Sequence, residues 1–96
     1  MYGYIYKTTN SINGKIYIGK HKSDEFDPLY KGSGSYLWRA INKYGWNNFY
    51  VEMLCPCFSL EELNSEEIFL IDYFNSRDHQ LGYNLMKGGD GGDYRL

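Results

Sequence analysis

The residue whose position most demands a chemical explanation is Glu67. Set Leu60 at zero on a helical wheel turning about 100° per residue; Leu63, Ile71 and Phe74 then fall within about 60° of it. Glu67 lies about 20° away, in the middle of that apolar stripe, while Glu61, Glu62, Glu66 and Asp72 sit roughly 100° or more from it. A carboxylate so placed must be paired, hydrogen-bonded or holding a cation, because burying a bare charge is prohibitively costly. Tyr4, Tyr6 and Tyr17 form a second concentration of polar groups, followed at once by Gly19, Lys20, His21 and Lys22. Two other patterns carry little chemistry. Cys55 and Cys57 flank Pro56, too close for an easy disulfide and without companions for a zinc site, so both read as reduced and structural. The string Gly88-Gly89-Asp90-Gly91-Gly92-Asp93 resembles a calcium-binding nonapeptide, but that motif works as a stacked repeat and occurs once here; it also lacks the lysine and hydroxyl of a phosphate-binding loop.

These residues need elements to hold them. Residues 2–9 and 15–20 alternate apolar and polar around Asn13-Gly14, a strong hairpin signal. Pairing Tyr6 with Tyr17 sets Ile5 opposite Ile18 on one face. Tyr4, Tyr6 and Thr8 then share the other with Lys15, Tyr17 and Gly19, a polar aromatic surface on which something could rest. Residues 21–34 show no period and contain Pro28, Gly32 and Gly34, so they read as a loop. A helix fits 35–44, with Leu37, Ala40, Ile41 and Tyr44 at spacings of three and four, Arg39 facing outward and Gly45 as the stop. A third strand fits 48–55, with Phe49, Val51 and Met53 on one side. Ser59-Leu60-Glu61-Glu62 is a capping box that opens a helix running to about Phe74. The fold class is therefore α/β, an α+β sandwich in which a three-stranded antiparallel sheet is flanked by helices. One domain is expected over residues 1–86, with 87–96 a Gly-rich tail or the start of a linker.

Composition agrees with a single folded unit of 96 residues: 43% hydrophobic, 23% charged and 19% aromatic, with eleven tyrosines whose hydroxyls need partners when buried. No apolar run approaches a membrane span and no signal-peptide pattern opens the chain, so a cytoplasmic protein without a membrane partner is expected. The net charge of −2 is unevenly spread. Residues 1–45 carry seven Lys or Arg against three acids, a balance of +4, and the remainder carries −6. The basic half could face phosphates while the acidic half stays in solvent.

Taken together the residues resemble the GIY-YIG nuclease superfamily, in particular its small phage and intron-borne homing endonucleases. Tyr17-Ile18-Gly19 matches the second half of the signature, and Tyr4-Ile5-Tyr6 stands for the first, with Tyr4 where glycine is usual and Gly3 one residue earlier. Asn42-Lys43-Tyr44-Gly45 resembles the family's helix end, Glu67-Ile68-Phe69-Leu70-Ile71 its glutamate helix, and Gly82-Tyr83-Asn84 its closing asparagine motif. Four motifs in order cover nearly the whole chain.

The resemblance implies hydrolysis of DNA phosphodiesters with one divalent ion, Mg²⁺ or Mn²⁺, anchored by Glu67. It implies Tyr6 as general base or water-positioner beside Tyr17, its pKa of about 10 lowered by Lys20, His21 and Lys22. Gly19 would leave space for a sugar-phosphate, and Asn84 would tie the closing segment to the site. Lys7, Lys15, Lys20, Lys22, Lys31 and Arg39 are the expected DNA-binding cations, with a separate DNA-recognition domain or protein beyond the linker. One departure matters: the arginine that family members usually carry about eight residues past the YIG glycine is absent, and Asp24 to Pro28 occupy that neighbourhood. His21 is the first candidate for its phosphate-stabilising role, since it follows the YIG strand directly and an imidazolium can donate to phosphate. Arg39 is the second, with Lys22 and Lys31 behind. Without a replacement, the alternative is a catalytically impaired nucleic-acid-binding relative of the same fold.

Overall fold

In the computed structural model residues 1–89 are described, so the last part of the Gly-rich tail, with the end of its calcium-like string, lies outside the described residues. Three strands form one antiparallel sheet: β1 (Gly3–Asn10), β2 (Ile16–His21) and β3 (Phe49–Cys57), in the order β2-β1-β3. Helix α1 spans Ser35–Tyr44, a short 3-10 turn covers Trp46–Asn48, and α2 spans Leu60–Phe74. The two helices follow their sequence signals closely. Gly45, with φ 97°, ends α1 and donates its N–H to the Ile41 carbonyl at 2.8 Å. Ser59 caps α2 by accepting from the Glu62 N–H at 3.0 Å, and the Glu62 carboxylate takes the Phe58 N–H at 2.6 Å. Asn75, in the left-handed region at φ 52°, closes α2. Among the described residues no helix is long and apolar enough to cross a membrane.

The hairpin differs from the expected register. Tyr6 pairs with Gly19 and Thr8 with Tyr17, two residues away from a Tyr6–Tyr17 pairing. The cause is a longer turn: Asn10 Oδ1 accepts from the Ile12 N–H and Asn13 Oδ1 from the Lys15 N–H, both at 2.9 Å, so two Asx turns extend the connection. A shift of two preserves which face each side chain takes. Ile5 and Ile18 do share one face, where they pack with Cys57, Leu63 and Ile71 under α2. β3 keeps Phe49, Val51 and Met53 on the other side until a bulge opposite Ile5 and Tyr6, after which Cys55 and Cys57 turn toward α2. Both cysteines are free, and burial, then the neighbouring Cys55, pushes the Cys57 thiol up to about 12.

The tyrosine face is not an open surface. β1 is the central strand and is covered on both sides: Tyr4, Tyr6 and Thr8 are all buried under the 22–34 loop. Tyr4 Oη accepts from the Asp27 N–H at 3.1 Å, and Thr8 donates to the Lys31 carbonyl at 2.6 Å. The loop is itself nailed down by Lys31, whose ammonium donates to the carbonyls of Phe49 at 2.6 Å and Trp46 at 2.8 Å and lies 4.0 Å from the Trp46 ring centre. Lys31 is 8% exposed, its pKa lowered by burial, so it is a structural tie and not a DNA-binding cation. Lys31→Met keeps the stem but strips a buried and a half-buried carbonyl of their charged donor. Hydrogen bonds to charged groups contribute about 1.5–3 kcal/mol, so a melting temperature lower by many degrees is expected; an unchanged melting curve would return Lys31 to the surface cations.

Candidate active site

The second cluster, Leu37, Ala40, Ile41, Phe49 and Tyr83, joins α1 to the segment around Tyr83 and sets up the site. β2 is an edge strand, and residues 81–84 cover it. Ile16 N–H donates to the Leu81 carbonyl at 3.1 Å and Tyr83 N–H to the Ile16 carbonyl at 2.8 Å. The buried Asn84 side chain completes the edge. Its Oδ1 accepts from the Ile18 N–H and its Nδ2 donates to the Ile18 carbonyl, each at 2.8 Å, as a peptide of a fourth strand would. The expected tie is therefore present, and it is made to the backbone of the YIG strand.

Beside this edge lies a cavity of about 210 Å³, lined by Tyr17, Ser35, Tyr36, Glu67, Asn84 and Gly88 among others. Glu67 is 8% exposed, as the wheel required. Its Oε1 accepts from the Gly89 N–H at 2.8 Å and faces the Lys20 ammonium at 3.8 Å. Burial raises the carboxyl's pKa, opposed by the Gly89 N–H and then by Lys20. Lys20 is held in turn by Asn64 and by the Gly89 carbonyl at 2.6 Å. Residues 88–89 thus close over the carboxylate instead of leaving the domain. Gly88, at φ 92°, is required there, since a Cβ would stand 3.1 Å from Glu67 Oε1.

The tyrosines sit differently from expectation. Tyr17 lines the cavity; Tyr6 stands behind it, 1% exposed, with ring centres 6.2 Å apart. A Cβ on Gly19 would fall onto the Tyr6 hydroxyl and ring, so the space at Gly19 belongs to Tyr6 and not to a sugar-phosphate. Burial raises the pKa of both hydroxyls, with Tyr17 next adding to the rise at Tyr6 and Glu67 next at Tyr17. The expected lowering does not occur. Lys20 pairs with Ile5, so it projects to the α2 face, opposite to Tyr6. Lys22 lies 5.0 Å from the Tyr2 ring centre, and His21 stacks on Tyr30 at 3.8 Å.

Of the other cations, Lys7 pairs with Glu52 at 3.7 Å and lies over Phe74, and Arg39 lines a neighbouring groove with Lys15. The structure thus brings together Tyr17, Glu67 and Asn84, with Lys20 behind the carboxylate, and leaves His21, Arg39 and Lys7 outside. The place of the missing arginine is taken by an Asx turn, with Asp27 Oδ1 accepting from the Leu29 N–H at 2.9 Å. Sequence reading overlooked Asn64, Tyr36 and Gly88. Asn64 carried a signal, three residues before Glu67 and so on its side of the helix.

No cluster of three or more His, Cys, Asp or Glu suited to a metal occurs among the described residues. One carboxylate beside a cavity nevertheless fits Mg²⁺, which usually takes one or two carboxylates and completes its shell with water and substrate phosphate.

A central antiparallel sheet, an edge tyrosine, a buried helix glutamate and an asparagine closing the YIG strand define a GIY-YIG catalytic fold. The chain is 31% identical to the catalytic domain of the homing endonuclease I-TevI, with a TM-score of 0.66 over 88% of this chain and 98% of that one. A mutant form of the same catalytic domain superposes with a TM-score of 0.70 at 29% identity, over 92% and 97% of the two chains. The putative endonuclease segE of Enterobacteria phage T4 is 44% identical over 96% of this chain and 44% of its own length. The chain belongs to the GIY-YIG nuclease superfamily. It spans less than half the length of that phage relative. No protein-family model matches it.

Proposed function

We propose that this domain is a divalent-metal-dependent DNA endonuclease, and the observation that carries the reading is the buried Glu67 carboxylate opening on a cavity beside Tyr17 and the Asn84-closed edge. When bound at Glu67, Mg²⁺ or Mn²⁺ would polarise a phosphoryl oxygen and help generate the attacking water. Glu67 supplies an anionic anchor, and Lys20 balances its charge. Tyr17 keeps its proton at neutral pH, because burial and Glu67 hold its pKa up, so it donates a hydrogen bond to a phosphate oxygen or orients water rather than abstracting a proton. The start of α1 contributes too. Gly34 offers no side-chain cap, and Gly34, Ser35 and Tyr36 line the cavity, so first-turn N–H groups and the positive helix end are available to a phosphate. That is a substitute for the absent arginine which needs no side chain. The similar phage and intron endonucleases support DNA as the substrate, and a recognition region outside this domain is part of the same proposal.

Supercoiled plasmid incubated with Mg²⁺ should be nicked or linearised, and EDTA should stop it. Intact plasmid at high enzyme concentration, with salt-dependent binding preserved, would favour the impaired binding relative instead. Tyr17→Phe is expected to lower the rate by about 10², the scale of lost acid–base or hydrogen-bond assistance. Tyr6→Phe should cost less, since Tyr6 reaches the cavity only through Tyr17. Because both hydroxyls titrate above their ordinary range, rates between pH 7 and 9 should show no rise from tyrosine ionisation; such a rise, lost in Tyr17→Phe, would restore the general-base role.

A further inference from the structure

A second groove, of about 190 Å³, adjoins the Glu67 cavity and shares Tyr36 and Tyr83 with it as a common wall. Lys15 comes to it from the hairpin turn, and Arg39 and Lys43 from α1, where a spacing of four puts them on one face. No carboxylate among the described residues lines it. Among the described residues the ion pairs are Lys7–Glu52 and Lys20–Glu67, so none of these three cations has an anionic partner there. Like charges gathered in this way cost free energy unless something negative joins them. They are also partly fixed in advance. Lys15 Nζ lies 5.9 Å from the Tyr83 ring centre and Lys43 Nζ 5.2 Å from that of Tyr44. Asn13 donates to the Tyr83 hydroxyl at 3.2 Å, which steadies the wall between groove and cavity. On α2, Glu61, Glu62 and Asp72 are exposed and would repel a polyanion.

We infer that this groove takes the sugar-phosphate backbone of duplex DNA next to the cut, with Lys15, Arg39 and Lys43 as phosphate contacts and the tyrosine wall leading the strand into the Glu67 cavity. The inference rests on the nuclease reading and adds to it the path of the strand. It also gives Arg39 a different task from transition-state stabilisation, since the residue stands in the groove and not in the cavity.

The test is equilibrium binding of a labelled random-sequence duplex in EDTA, across a series of salt concentrations, for three proteins. These are the wild type, Arg39→Gln/Lys43→Gln, and Arg77→Gln/Lys87→Gln, which removes the same charge from a hollow on α2 lined by Ile68, Phe69 and Asp72. Both substituted sites in the groove are exposed, so the fold should be kept, and a melting curve checks it. Each lost phosphate contact removes about 0.9 from the slope of log K against log salt, so the groove variant should lose about two from its slope. It should also weaken on unrelated duplexes alike, while the control keeps the wild-type slope. A groove variant with the wild-type slope, or a control that loses as much, would overturn the assignment. A wild-type protein that binds no duplex at any salt would overturn the DNA reading itself.

Discussion

Glu67→Gln is expected to abolish cleavage while leaving the domain folded. The amide keeps the carboxylate's volume and can still accept the Gly89 N–H through its oxygen, and Lys20 retains Asn64 and the Gly89 carbonyl as partners. What it loses is the charge that anchors a divalent ion. Metal polarisation of a reacting phosphate is worth several kcal/mol, which corresponds to a rate loss of about 10³ or more. Stability should move the other way. Burial outweighs Gly89 and Lys20 and raises the Glu67 pKa in the folded state, so the fold binds this proton more tightly than the unfolded chain does. Ionisation at neutral pH therefore weakens the fold, and the deficit disappears as pH falls through the raised folded value to the ordinary carboxylate range. The variant should thus melt at or above the wild-type temperature at pH 7, and the gap should close in acid. Wild-type cleavage by this variant at matched Mg²⁺ would reduce Glu67 to a buried partner of Lys20.

Where local rules act alone, the chain was readable. The start of α2 and the end of α1 are written in sequence, in Ser59 with Glu62 and in Gly45, and the body of α1 in the three-and-four spacing of Leu37, Ala40 and Ile41. Glu67 could be found because a helix has one apolar stripe, and a charge inside it is anomalous wherever the helix packs. The hairpin was legible only in parity. Asn13-Gly14 marked the turn, but the side chains of Asn10 and Asn13 lengthened it, and no periodicity signals a two-residue slip that keeps every face. The fate of the cations was harder still. Lys20, Lys22 and Lys31 look alike as residues near a loop, yet one meets Glu67, one lies over Tyr2 and one is buried under Trp46. Lys22 and Lys31 are placed by the folding of the 22–34 segment and Lys20 by the packing of α2 against β2, long-range contacts without a local signature. The same holds for the tyrosine face. Alternation shows that Tyr4 and Tyr6 share a side, whereas their burial depends on a covering loop that sequence reads only as irregular.

Gly19→Ala is expected to damage stability and cleavage together, through Tyr6. Gly19 stands directly opposite Tyr6 in the sheet, and the Tyr6 ring folds across the bare Cα. An added methyl would overlap the hydroxyl and its ring carbon and lie 2.9 Å from Cε2, nearer than real Cβ atoms come to any neighbour. A flexible chain end could step aside, but this ring cannot do so freely. It is 1% exposed and bounded by Tyr4 at 6.3 Å, Tyr17 at 6.2 Å and Tyr30 at 5.6 Å between ring centres. Overpacking a filled core costs about 1–3 kcal/mol, which for a domain of this size lowers the melting temperature by several degrees or more. Displacing Tyr6 should also push Tyr17 in the cavity, and small misplacements of a reacting group can cost about 10² in rate. A double variant separates the two effects. Tyr6→Leu removes the ring that the methyl strikes, so Gly19→Ala should cost clearly less stability in a Tyr6→Leu background than in the wild type. Cleavage should stay low in the double variant, because Tyr17 has lost the support behind it. Equal costs of Gly19→Ala in both backgrounds would show that the glycine is needed for something other than Tyr6. A contact with DNA would then be the explanation, visible as Gly19→Ala weakening duplex binding while the melting temperature holds.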